Sequence, residues 1–138
     1  MRERIAGWAG LVGVLFFVAE VVIGGAQFEH YSHIRQFISE TYASGTPWSD
    51  VLRFGAVLPA GVLMAVFAFA AAAALPSPRS GMIGVIAFGV FYGSGTVATA
   101  FFPCDFGCDP EQADPTLSHF LHFTAGTLTY LFTPLSLL

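Results

Sequence analysis

"GMIGVIAFGVFYGSGTVATAFF", residues 81–102, decides the fold, because none of its side chains carries a charge. A helix crosses the hydrocarbon core of a bilayer with roughly 20 mostly apolar residues, so this stretch reads as a membrane span. Working outward from it finds three more. One runs from about Ile5 to Ile23 and is interrupted by Glu20; another runs from about Val51 to Leu75, with Arg53 near its start and Pro59 inside it. The last opens near Leu117 and is still apolar at Leu138. Composition agrees: 55% of the 138 residues are hydrophobic and 10% charged, whereas a soluble domain carries about 25% charged residues. The expected fold class is therefore all-α, a polytopic transmembrane bundle with four spans forming one domain over residues 1–138. A net charge of −4 with five basic residues leaves no basic patch for nucleic acid. The bilayer itself is the expected partner.

Orientation follows from the basic residues, since short cytoplasmic loops are enriched in Lys and Arg. Arg2 and Arg4 precede the first span, and Arg79 lies in "LPSPRSG", residues 75–81, between the second and third. Both segments belong on the cytoplasmic face, which places the N-terminus there. The outer loops, 26–50 and 103–117, hold Glu29, Glu40, Asp50, Asp105, Asp109, Glu111 and Asp114. The first span is too long for a signal-peptide core, which has about 7–15 apolar residues, and Glu20 does not belong in one. It is read as retained, although "GGAQ" at 24–27 resembles a cleavage site. In the first outer loop, Tyr31, Ile34, Phe37, Ile38 and Tyr42 recur at helical spacing, which predicts a short interfacial helix. The apolar ending "TPLSLL", with no polar tail, reads as a fragment of a longer gene.

This topology gathers the chemistry on one side. His30, His33, His119 and His122 fall near the outer ends of spans, as do Cys104 and Cys108. Each histidine pair is three residues apart, a spacing that a helix turns to one face. Two such pairs could close a four-coordinate zinc site, with Glu29, Glu40 and Asp105 in the same layer. The spacing lacks the glutamate and the i,i+4 step of the helical zincin motif. Cys104 and Cys108 enclose three residues, which suits neither common metal-knuckle spacing. Outside the cytoplasm thiols tend to oxidise, so a disulfide closing a tight loop is the expectation, with Gly107 free to take the positive φ of a small ring. Thiolate ligation and paired redox thiols are the alternatives. Asp105, inside that ring, is read first as a capping aspartate and second as a base or ligand. Glu20 is the other informative acid, because a carboxyl within a span is expensive and so a functional candidate by default; its alternative is packing glue between helices. Gly89 and Gly93 form a G-x-x-x-G pair, and Gly7, Gly10 and Gly13 make a second small face. Such faces let membrane helices approach closely, within the chain or between copies of it in a homo-oligomer.

Three functions compete on these residues. One is a zinc-dependent membrane hydrolase acting on a lipid or polar head group, with Ser32, His33 and Asp105 as catalytic candidates. The second is a non-enzymatic sensor or assembly protein. In the third, a small transporter, Glu20 lies on a proton or solute path.

"YSHIRQFISETYASGTPWSD" (31–50), "FFPCDFGCDP" (101–110) and "SHFLHFTAG" (118–126), in that order, resemble the prokaryotic membrane family called domain of unknown function 998. The "FPCDFGC" element is the most specific part. The resemblance implies a plasma-membrane protein with two further spans after Leu138, and it implies no activity.

Overall fold

Apolar stretches of this length satisfy their backbone groups internally by winding into helices, and among the described residues the chain does so four times. The structure is a computed structural model that describes residues 1–74, 78–136 and 138. The helices are α1 (Arg2–Ala26), α2 (Ser49–Ala74), α3 (Arg79–Phe101) and α4 (Leu117–Ser136). Leu75, the expected end of the second span, lies outside the described residues. Among those described, α1, α2 and α3 are long and apolar enough to cross a membrane. The fourth expected span is not among them, because α4 dilutes its apolar residues with His119, His122, Thr124, Thr127, Thr129 and Thr133. Large apolar side chains stand exposed on the outside of the bundle, Leu15, Val22 and Ile83 among them. That surface suits lipid better than water.

Successive helices run antiparallel, and close contacts fix the register. Gly10 meets the Phe67 ring and Gly13 meets Leu63 and Met64, which seats α1 on α2. Between α2 and α3 the backbones nearly touch. A Cβ on Gly61 would lie 2.8 Å from the Val97 nitrogen, and one on Gly93 would lie 2.8 Å from the Ala65 nitrogen. The G-x-x-x-G pair of the sequence is thus engaged inside the chain, with Gly89 facing Ala68. Gly7 has nothing within 4 Å. Between α3 and α4, Thr129 Oγ1 donates to the Phe91 carbonyl at 2.9 Å, and Phe91 stacks on Phe132 with centroids 4.4 Å apart.

Both α2 and α3 contain a wide π-helical turn, at Arg53–Val57 and Gly89–Gly93. The first lies just ahead of Pro59, whose ring and missing N–H disrupt regular hydrogen bonding one turn earlier. Arg53 within it reaches across to α3. Its Nε donates to the Ala100 carbonyl at 2.7 Å, satisfying one of the unpaired carbonyls at that helix end.

The interfacial helix expected over residues 31–42 shrinks to a 3-10 turn, Ile38–Tyr42. Side chains compete for the backbone there. The Ser32 N–H donates to Gln36 Oε1 at 2.9 Å, and the Phe37 N–H donates to Glu40 Oε1 at 2.9 Å. Ile34 consequently points outward and exposed, while Tyr42 is buried with Leu52, Val57 and Ala100.

Candidate functional site

Two segments close the end of the bundle where α1 stops. The first is the loop carrying the 3-10 turn, and the second is the 103–116 loop. They are joined by the Ser44 N–H, which donates to the Cys104 carbonyl at 2.8 Å. Cys104 and Cys108 lie with their sulfurs at bonding distance and their Cα atoms 5.2 Å apart, within the range a disulfide spans. Both are fully buried against Ala43 and Phe123. Gly107 takes φ +84°, and Cys108 itself takes φ +45°. The glycine serves conformation alone, since a Cβ there would meet nothing within 4 Å.

Asp105 organises the start of α4. Its Oδ2 accepts the Thr116 N–H at 2.9 Å and the Gln112 amide at 3.0 Å, while Oδ1 accepts the Thr116 hydroxyl at 2.7 Å. The Thr116 oxygen in turn accepts the His119 N–H at 3.2 Å, an N-cap bond to the third helical residue. The Thr116 N–H and hydroxyl, ahead of the Gln112 amide, hold the Asp105 carboxyl below its usual range. Asp105 thus holds in place Thr116, the residue that caps α4.

The two α4 histidines are buried, at 4% and 5% exposure, and their partners fix opposite tautomers. His119 Nδ1 accepts the Asp105 backbone N–H at 3.1 Å, so its proton sits on Nε2. The Asp105 carboxylate 3.5 Å from that same nitrogen therefore faces a lone pair and forms no salt bridge in this state. His122 Nδ1 lies 2.8 Å from the Phe102 carbonyl, which can only accept, so Nδ1 carries the proton and the Nε2 lone pair is free. His30 and His33 lie in the outer loop and are exposed, with the His33 ring against Tyr31. Among the described residues no three His, Cys, Asp or Glu side chains are arranged to hold a metal ion. The zinc set His30, His33, His119 and His122 does not assemble, because His30 and His33 never enter a helix and stay exposed on the outer loop while His119 and His122 are buried in α4. Ser32, His33 and Asp105 likewise have separate partners rather than one another.

Beneath the cap lies a cleft of about 310 Å³. α1 contributes Glu20, the 3-10 turn Tyr42, α3 Tyr92 and Thr99, and α4 His122 and Tyr130. Glu20 is 1% exposed. Its Oε1 lies 2.6 Å from Thr41 Oγ1, and Oε2 is buried with no partner among the described residues. Thr41 Oγ1 also lies 2.7 Å from the Ile38 carbonyl. A hydroxyl has one proton, and a carbonyl has none to give. Both contacts are hydrogen bonds together only when Thr41 donates to Ile38 and the Glu20 carboxyl donates to Thr41. A neutral carboxyl is also the form that a low-dielectric span favours. A larger hollow of about 780 Å³ at the other end is lined by Met1 and Arg4 together with apolar residues such as Trp8 and Leu63. It lacks the convergent polar groups of a binding site.

Several residues of this site carried no sequence signal. A Cβ on Gly24 would lie 2.7 Å from Thr41 Oγ1, and one on Gly25 would lie 2.7 Å from His33 Cε1. The "GG" that resembles a cleavage site is the seat on which the outer loop docks. Gln27 pins the same corner, donating to the Thr41 carbonyl at 2.6 Å and accepting the Trp48 N–H at 3.3 Å. Tyr31 donates to the Phe37 carbonyl at 3.0 Å, and partial burial, ahead of the nearby acidic groups, pushes its phenol up to about 12.

Membrane-length apolar helices, a cross-linked cap and a buried acid in a cleft define a helical protein of membrane type with an internal polar site. The chain belongs to the family described as "Protein of unknown function (DUF998)", whose profile matches residues 11–138. No curated protein and no solved structure matches it.

Proposed function

We propose that this is a plasma-membrane protein that crosses the bilayer four times with its N-terminus in the cytoplasm. We further propose that it binds a small polar solute in the cleft under its outer cap, as a transporter or sensor. The end of the bundle bearing Arg2, Arg4 and Arg79 then faces the cytoplasm, and the acidic cap faces outward. The carrying observation is Glu20, an acid buried in a span that lines the cleft, with its Oε2 unpartnered among the described residues. A buried polar atom without a partner costs about 1–3 kcal/mol. A bound solute that reaches Oε2 removes that cost, whereas packing glue would leave no oxygen open. The metal-dependent hydrolase has less support, since its metal and catalytic sets do not converge.

The test is a thermal-shift panel on the purified full-length chain in detergent, with small amines, amino acids, sugars and carboxylates. At least one class is expected to raise the midpoint of wild type and not that of Glu20→Leu. A panel in which no shift depends on Glu20 would remove the solute site. Topology is checked separately, by labelling single cysteines introduced at Ser80 and Glu111 in intact cells. Labelling of the first from outside would overturn the orientation.

A further inference from the structure

We infer that the cleft takes a small organic cation, an ammonium group bearing a few carbons, and that the cation enters in exchange for the proton on Glu20. This rests on the reading of the cleft as a solute site and adds the chemical class of the solute.

The walls select for positive charge. Besides the Glu20 carboxyl they present the rings of Phe17, Phe37, Tyr42, Tyr92 and Tyr130. Aromatic faces attract cations, and ammonium ligands are characteristically held in such cages. The basic residues of the chain are all arginines, at 2, 4, 35, 53 and 79, and none lines the cleft. Nothing fixed in the wall therefore neutralises a Glu20 carboxylate. An anion would meet that acid with no basic partner, and a neutral polyol would find mostly ring faces. A bare divalent metal needs six or more oxygen ligands, or at least three nitrogen, sulfur and oxygen donors; beside neutral hydroxyls the wall offers one carboxylate and one imidazole, and among the described residues no three His, Cys, Asp or Glu side chains are grouped to hold a metal. The volume, about 310 Å³, sits at the small end of the roughly 300–1,000 Å³ of small-molecule sites.

The proton count completes the exchange. In the empty cleft Glu20 donates its proton to Thr41, as the paired contacts of 2.6 and 2.7 Å require. When the cation arrives, the Glu20 O–H bond breaks and the proton leaves to water. The carboxylate then accepts Thr41 or the ammonium N–H on Oε1 and faces the cation with Oε2. One positive charge enters as one leaves, so the buried site keeps its net charge. The other titratable groups facing it are Tyr42 from the 3-10 turn, Tyr92 from α3, and His122 and Tyr130 from α4. His122 is the only imidazole among them. Tyr130, 74% exposed, stands at the mouth.

Isothermal titration calorimetry on the full-length chain in detergent tests the exchange, using choline and its uncharged isostere 3,3-dimethylbutan-1-ol. Choline is expected to bind at least tenfold more tightly than the isostere, and more tightly at pH 8 than at pH 6. Runs in buffers of different ionisation enthalpy should show close to one proton released per choline bound. Glu20→Gln should lose the proton release and at least tenfold in affinity, and Tyr92→Leu should weaken choline more than the isostere. Equal binding of the two probes, or choline binding without proton release, overturns the cation exchange and leaves a solute site standing. If neither probe binds, the cation exchange is likewise overturned, and the solute panel decides whether the cleft is a site at all. The isostere comparison needs only wild type, so a variant that fails to fold does not protect the inference.

Discussion

Gly24 and Gly7 lie on one helix and differ in what a methyl group would meet, which makes them a paired test of how the cap seats. Replacing a mid-helix glycine by alanine stabilises a helix by up to about 1 kcal/mol. At Gly7 nothing lies within 4 Å of the new Cβ, so Gly7→Ala should gain that increment or stay neutral. At Gly24 the Cβ would stand 2.7 Å from Thr41 Oγ1, 2.8 Å from Thr41 Cβ and 3.2 Å from Glu20 Oε1. Carbon contacts are optimal at about 3.5–4.0 Å, so the 3-10 turn must move or the helix must bend. Overpacking of this kind costs about 1–3 kcal/mol. The two variants should therefore differ by about 1–4 kcal/mol, and at roughly 3 °C per kcal/mol for a chain of this size their midpoints should separate by roughly 3–12 °C. Thermal unfolding followed by tryptophan fluorescence in detergent reads the separation. Trp48, whose N–H is tied to Gln27 at the same corner, also reports whether the cap loosens first. Equal midpoints for Gly24→Ala and Gly7→Ala would refute the seating of the outer loop on α1.

The cap carries its own pH dependence. The Asp105 carboxyl titrates below its ordinary value in the folded chain, so its stabilisation is fully present above about pH 4 and fades as pH falls through the lowered value. Asp105→Asn should be less stable at neutral pH and should lose that acid-side slope, as hydrogen exchange at the start of α4 would show; an unchanged slope would count against the capping role. Maleimide should leave Cys104 and Cys108 unmodified until a reductant is added, and labelling of the unreduced chain, read by mass spectrometry, would contradict their pairing. Gly93→Ala would place a Cβ 2.8–2.9 Å from the Ala65 backbone, which cannot swing aside as a side chain can. It should cost more stability than Gly24→Ala, and a smaller loss would mean that α2 and α3 are not locked there.

How much of this could be read from the chain divides along physical lines. Helix positions were legible because the apolar length a bilayer demands is a one-dimensional property, and α1 to α3 follow the apolar runs closely. The fate of α4 was harder to read. An apolar run that alternates with threonines satisfies the eye, but it leaves the helix short of the apolarity of the other three. The first outer loop misled for a different reason. Tyr31, Ile34, Phe37, Ile38 and Tyr42 have helical spacing, yet Gln36 and Glu40 capture backbone N–H groups that a helix would need, and periodicity does not count such competitors. The Asp105 cap, the cysteine pair and the turn at Gly107 were legible because they are local, closed within a dozen residues.

Glu20 marks the boundary between the two kinds of knowledge. Its oddity was plain from sequence, since an acid in an apolar run must be explained. Its partner was not, because Thr41 lies twenty-one residues away in a loop with no motif, brought close by Gly24. The four histidines show the opposite error. They were grouped by a shared level in the topology, but level does not fix azimuth. His119 and His122 turn inward, where backbone groups take one nitrogen of each, while His30 and His33 stay outside on an irregular loop. The cluster dissolves because one pair is buried in α4 and the other exposed on the loop, while the single proton of the Thr41 hydroxyl, counted against its two contacts, places a proton on Glu20. In a chain this poor in polar groups, the useful question about each one is which atoms satisfy it. The Oε2 of Glu20, which nothing among the described residues satisfies, is the strongest pointer to function that the fold provides.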